Sequence, residues 1–134
     1  MRSWKLGVVG ERQNKTLATN SIVQQKSFDF ALKIVKLYQE HRKKGETVLS
    51  RQLLRSGTSI GANVEEALAA QTRREFHSKM TISFKECRES RYWLRLLKAS
   101  GMITYDYSDC LKDVEELNRI LSSITKSTKV EGGK

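Results

Sequence analysis

Few side chains in this chain could do chemistry, and their spacing limits what each can do. Two histidines, His41 and His77, and two cysteines, Cys87 and Cys110, are the nitrogen and sulfur groups suited to catalysis or metal binding. Neither cysteine belongs to a CxxC pair. No Glu-x-x-His occurs, the pairing by which helical bundles hold dimetal centres. A polar line remains, Ser59, Asn63 and Glu66, with Glu86 or Glu89 available from a later segment. Without a histidine it reads as a buried Asn63–Glu66 network that fixes packing or oligomer register rather than a metal site. Serine, histidine and carboxylate are present, but no motif groups them as nucleophile, base and orienter. Gly57-x-x-x-Gly61 lacks the Gly-Lys-Ser/Thr ending of a phosphate loop. No catalytic residue, metal ligand or cofactor is expected, and the chain does not read as an enzyme.

The chemistry left is electrostatic. At 100° per residue, Arg74, Lys85, Arg88, Arg91, Tyr92 and Arg95 fall within an arc of roughly 120° on one helix, with Lys98 near its end. Such an arc offers cations to phosphates and one aromatic ring to a base. The competing reading is a solvated basic face paired with the acidic stretch Asp106, Asp109, Asp113, Glu115 and Glu116, which outnumber Lys112 and Arg119. On the opposite flank Glu75, Lys79, Ile82, Glu86, Glu89 and Trp93 repeat at steps of 4, 3, 4, 3 and 4. This mixed seam reads as an oligomer interface, with Lys79 and Glu86 pairing across protomers. Alternatively, Trp93 closes the monomer's own core.

Both surfaces belong to one element, a helix from Arg73 to Ser100. Its third face carries Phe76, Met80, Ser83, Cys87, Ser90, Leu94 and Leu97, an unbroken heptad seam. Thr72 followed by Glu75 reads as a capping box at its start, and Gly101 follows its end. A seam this long needs partner helices. One is predicted from about Ser21 to Lys44-Gly45, with Phe30 or Ala31, Ile34, Val35 and Tyr38 on its apolar face. A second runs from about Val48 to Ala70 on Leu49, Leu53, Ser56 or Gly57, Ile60, Val64, Ala67 and Gln71. A fourth runs from Thr104 or Tyr105 to Thr125 on Tyr107, Leu111, Val114, Leu117 (or Asn118), Leu121 and Ile124. Gly57 and Gly61 each cost about 1 kcal/mol relative to alanine inside a helix, which suggests close approach by another backbone. The seam serines would likewise let a neighbouring helix come near. Four amphipathic helices with short connections predict an all-α, antiparallel up-down four-helix bundle over residues 21–125.

With 134 residues the chain is long enough for one core. It has no proline, and no apolar run approaches the roughly 20 residues that span a bilayer, so no membrane partner is expected. The start, MRSWKLGVVGERQNK, has no apolar signal region. Together with two cysteines read as buried thiols, this points to the cytoplasm. Residues 1–20 read as a flexible basic extension and 126–134 as a polar tail. The net charge of +10 is concentrated at the ends: residues 1–26 hold five basic residues against one acid, and residues 126–134 three against one. Such an excess favours polyanions, nucleic acid above all.

The segment Leu53-Leu-Arg-Ser-Gly-Thr-Ser-Ile-Gly-Ala-Asn-Val-Glu-Glu-Ala67 resembles the signature of the four-helix-bundle proteins associated with 23S rRNA intervening sequences. Phe76-His-Ser-Lys-Met-Thr-Ile-Ser-Phe-Lys-Glu-Cys-Arg-Glu-Ser-Arg-Tyr-Trp-Leu94 is similar to the same family's second block. Lys26-Ser-Phe-Asp-Phe-Ala-Leu-Lys-Ile-Val-Lys-Leu-Tyr38 resembles its first helix. The likeness covers roughly Ile22 to Lys129 and leaves residues 1–20 outside it. It implies a bundle that assembles into a ring-shaped homo-oligomer, typically a pentamer. It also implies kinship with accessory variability proteins of diversity-generating retroelements, which bind a reverse transcriptase and nucleic acid. Together these readings predict a non-enzymatic, oligomeric protein that binds nucleic acid, RNA first, or assists an RNA-handling protein such as a reverse transcriptase. The alternative is a protein–protein scaffold.

Overall fold

The computed structural model describes residues 11–130. Helix α1 spans Glu11–Lys43, α2 Val48–Leu68, α3 Arg73–Ser100 and α4 Ser108–Thr128. Each helix packs on its sequence neighbours, and α4 closes back on α1. Partner residues run in opposite order along every packed pair. Gln24 meets Glu65 while Ile34 meets Gly57, and Glu66 meets Lys79 while Ser56 meets Ser90. Arg73 reaches Thr128 while Cys87 reaches Val114, and Lys26 meets Glu116 while Lys33 meets Asp109. The bundle is therefore antiparallel and up-down, as expected.

The α3 seam is the axis of the core. All seven of its predicted residues are buried, together with Leu53, Ile60 and Val64 of α2 and Val114, Leu117 and Leu121 of α4. Its two serines are used as predicted. Ser83 Oγ donates to the Ile60 carbonyl at 2.8 Å, and Ser90 Oγ lies 2.8 Å from Ser56 Oγ, so α2 and α3 approach closely on small side chains with their hydroxyls satisfied. Gly57 fits the same logic on the α1 side, where an added Cβ would stand 3.0 Å from Ile34 Cγ1.

The helix ends follow local chemistry. Thr72 Oγ1 accepts from the Glu75 amide at 3.1 Å, and Glu75 Oε1 reaches back to the Gln71 amide. Gly101, at φ +63°, ends α3. Gly45, at φ +87°, ends α1 in a Schellman turn: Gly45 N–H donates to the Arg42 carbonyl and Glu46 N–H to that of His41.

Several boundaries differ from expectation. Residues 11–20 belong to α1 rather than to a flexible extension; with no Gly or Pro after Gly10, a helix nucleated in the packed part propagates backwards at little cost. Residues 1–10 and 131–134 lie outside the described residues. At the other end α4 continues through Thr128, so residues 126–128 are helix rather than tail, and the Arg73 guanidinium donates to the carbonyls of Ser127 and Thr128. Helix α4 begins at Ser108, because Asp106 Oδ1 accepts from both the Ser108 amide and hydroxyl and holds a turn before it. The buried face of α1 is Val23, Ser27, Phe30, Ile34, Leu37 and His41, not the face through Val35 and Tyr38. That helix is apolar on two sides, which blurred its period.

Candidate nucleic-acid interface

Helix α3 presents two outer surfaces. On the side toward α4 and on the back, Arg74, Lys85, Arg88, Tyr92, Arg95 and Lys98 are all exposed, with Tyr92 at 53%. From Arg74 to Lys98 this surface extends about 36 Å along the helix. Arg91 is half-buried, and its Nε lies 3.1 Å from Glu115. The other acids of α4 look the opposite way. Asp109 and Asp113 both hold Lys33, at 2.8 and 2.6 Å, and Glu116 holds Lys26 at 3.1 Å. The pair of carboxylates raises the Lys33 pKa and keeps it charged. Arg91 thus follows the competing expectation of a basic face neutralised by the acidic stretch, and the Asp106 carboxyl, held low chiefly by its bonds to Ser108, also feels the Lys98 charge. Among the described residues Arg74, Lys85, Arg88, Arg95 and Lys98 have no ion pair within 4.0 Å. The Tyr92 ring meets Trp93 edge-on at 5.1 Å, and the Arg88 guanidinium stands 6.0 Å from the Phe84 ring centre. Charge and one accessible ring are therefore available.

The flank toward α2 is built differently. Lys79 pairs with Glu66 at 2.8 Å, and Arg55 forks onto Glu86 at 3.1 and 3.2 Å and onto Glu89. Hydrogen bonding to Glu86 and Glu89 raises the Arg55 pKa. The Trp93 indole N–H, 3.0 Å from Glu89, together with Arg55 holds the Glu89 carboxyl below its ordinary value. Trp93 is half-buried against the core, Ile82 stays 38% exposed, and Glu75 serves the helix start. Lys79 and Glu86, read earlier as partners across protomers, thus both find α2 of their own chain. The polar line on α2 also disperses. Asn63 Nδ2 donates to the Ser59 carbonyl, while Glu66 is exposed, so no buried Asn63–Glu66 network forms. Their spacing placed them on the α3 side of α2, but at its rim.

A polar cluster that the spacing did not reveal sits where the α1–α2 turn meets the α3–α4 connection. His41 is fully buried; its Nδ1 donates to the Leu37 carbonyl at 2.9 Å, which leaves Nε2 to accept from the Tyr107 hydroxyl at 2.6 Å. Burial pushes the His41 pKa down and that of Tyr107 up to about 12. Tyr105 packs edge-on to the same imidazole at 5.0 Å. Beside them Glu46 is buried, which favours its neutral form, yet it accepts from the amides of Leu49 and Ser50 at 2.8 and 3.0 Å and its pKa is lowered overall. Its carboxylate caps α2 in place of a side-chain bond from Thr47. These residues hold the bundle end together. Burial likewise pushes the thiols of Cys87 and Cys110 up to about 12 and 11, so neither is activated as a nucleophile. Among the described residues no group of three His, Cys, Asp or Glu is placed to hold a metal, and no helix is long and apolar enough to cross a membrane.

The family described as 23S rRNA-intervening sequence protein matches residues 19–123, a span that takes in the three blocks on α1, α2 and α3. The chain belongs to that family. A crystal structure of a protein of unknown function from the S23 ribosomal protein family of Bacteroides thetaiotaomicron VPI-5482 is similar over 81% of this chain and 98% of that one, with 44% identity and a TM-score of 0.76. No curated protein matches. The family match leaves the first turns of α1, Glu11 to Ala18, outside it, so this chain carries α1 further than the shared region.

Proposed function

We propose that this member of the family is a non-enzymatic homo-oligomer that binds nucleic acid, RNA first, along the cationic surface of α3. It would act alone or as an accessory factor to an RNA-handling protein such as a reverse transcriptase. One observation carries this reading: among the described residues five cations of α3 stand exposed without an ion pair, while Asp109, Asp113 and Glu116 of α4 are spent on α1. A free guanidinium or ammonium can exchange its counterions for phosphates without first breaking an internal pair. Phosphate contacts carry no sequence information, so specificity would come from the shape of the RNA or from a partner. Assembly into a ring, typically of five copies in proteins this chain resembles, would set several such surfaces side by side and multiply modest affinities. The family membership and two free, buried thiols agree with a cytoplasmic protein.

The test is fluorescence anisotropy with labelled RNA and DNA oligonucleotides, comparing the native chain with Arg88→Glu/Arg95→Glu. Both arginines are exposed, so the fold should survive the change. Loss of binding in the variant supports the proposal. Absence of binding by the native chain at low salt would overturn it and leave the protein–protein scaffold.

A further inference from the structure

Among the described residues two aromatic side chains stand exposed, Phe28 at 57% and Tyr92 at 53%. Their surroundings differ. One turn to either side of Phe28 lie Gln24, Gln25, Ala31 and Leu32, with no cation among them. Tyr92 lies between two arginines of its own helix. Arg88 stands four residues before it and Arg95 three after, about 6 and 4.5 Å along the axis and about 40° and 60° round it. Among the described residues neither arginine has an ion pair, and Arg88 is steered over the Phe84 ring, which leaves its charge unneutralised. The one carboxylate a turn away, Glu89, is already held by Arg55 and by the Trp93 indole N–H at 3.0 Å.

The ring is also backed by a fixed neighbour. Trp93 is half-buried against the core and bonded to Glu89, and Tyr92 meets it edge-on at 5.1 Å. A ring supported in this way loses little freedom when a flat partner is laid on it. We infer that Tyr92, Arg88 and Arg95 form a subsite for one unpaired nucleotide, so that the α3 surface takes single-stranded rather than duplex nucleic acid. The base stacks on the tyrosine ring, and the phosphates on its two sides meet the two guanidinium groups. The inference rests on the nucleic-acid reading proposed above and names the form of its ligand. Inside a duplex both faces of every base are stacked on neighbours. The ring gains no partner there, and it stands between the arginines and the backbone they would reach. In a single strand the base turns out onto the ring, and any base serves, because each has a π-face. Tyr92 thus adds affinity without reading sequence, and it selects against paired strands.

The experiment is fluorescence anisotropy across a salt series with three probes: a labelled RNA strand, the same strand annealed to its complement, and the strand with abasic sites in place of its bases. The full native chain is compared with Tyr92→Leu and Tyr92→Phe, and circular dichroism checks that the helices persist. The native chain should bind the intact strand more tightly than the duplex or the abasic strand. Tyr92→Leu should weaken binding of the intact strand about tenfold for each protomer engaged. It should leave the duplex, the abasic strand and the salt slope unchanged, since the ring carries no charge. Tyr92→Phe keeps the ring and should bind like the native chain. Equal native affinity for strand and duplex, or an equal loss on all three probes in Tyr92→Leu, would overturn the stacking subsite and leave the cationic surface standing. A native chain that binds none of the probes at low salt would overturn the nucleic-acid reading itself.

Discussion

If the five unpaired cations of α3 are the phosphate contacts, the salt dependence of RNA binding can be worked from the structure. Each phosphate neutralised on a single strand contributes about −0.7 to the slope of log K against log salt, so Arg74, Lys85, Arg88, Arg95 and Lys98 together give about −3.5 per protomer engaged. Raising salt about fourfold then weakens binding by roughly 130-fold. Changing Arg88 and Arg95 to alanine leaves three contacts, a slope of about −2.1 and a loss of roughly 18-fold over the same range. The absolute slope grows with the number of protomers touching one RNA, but the ratio of the two slopes stays at three to five. Anisotropy titrations of one labelled oligonucleotide across a salt series measure both slopes. Arg91→Ala serves as the internal contrast: this arginine is held by Glu115, and its removal should change the slope by less than either of its neighbours. A double variant with the native slope would refute the assignment, and so would a steeper effect from Arg91 than from Arg88.

Three further predictions concern the fold that carries this surface. Gly57→Ala should lower stability in urea by about 1–3 kcal/mol despite its better helix propensity, because the new Cβ meets the fully buried Ile34 at 3.0 Å; a more stable variant would mean that α1 and α2 can separate freely. Tyr107→Phe should cost about 1–3 kcal/mol in the same assay by leaving His41 Nε2 buried without a donor. His41 has a lowered pKa when folded, so the unfolded chain takes up its proton first: this share of stability is complete above the unfolded value of about 6.5 and is lost as pH falls through the lower folded value. Urea midpoints at pH 7.5 and 5.5 should therefore differ in the native chain and much less in His41→Gln, whereas Glu46 and Glu89, also lowered, lose their contributions only in the more acid range below about 4.3.

What was legible in the sequence followed from local rules. The α3 seam is strict at steps of 3 and 4, so every one of its seven residues was assigned to the core and found there. Thr72 with Glu75, and the glycines at 45 and 101, act within a turn of helix and need no tertiary information. The exposure of Arg74, Arg88 and Tyr92 followed from the same wheel, since a residue opposite a buried seam faces outward. In α1 the wheel failed, because Phe28, Leu32 and Val35 supply a second apolar face that competes with the first, and only packing against α2 and α4 decides which turns inward. The pairing of charges was beyond the sequence for a different reason. Lysine and arginine reach several ångströms from their Cα in any of several rotamers, so whether α4's carboxylates would neutralise α3 or α1 depended on how the helices are rotated against each other. The structure gives Asp109, Asp113 and Glu116 to α1 and leaves five cations of α3 unpaired. The His41–Tyr107 contact depends on the fold in the same way, since the two residues stand 66 positions apart and meet only because α1 ends where the α3–α4 connection crosses the bundle.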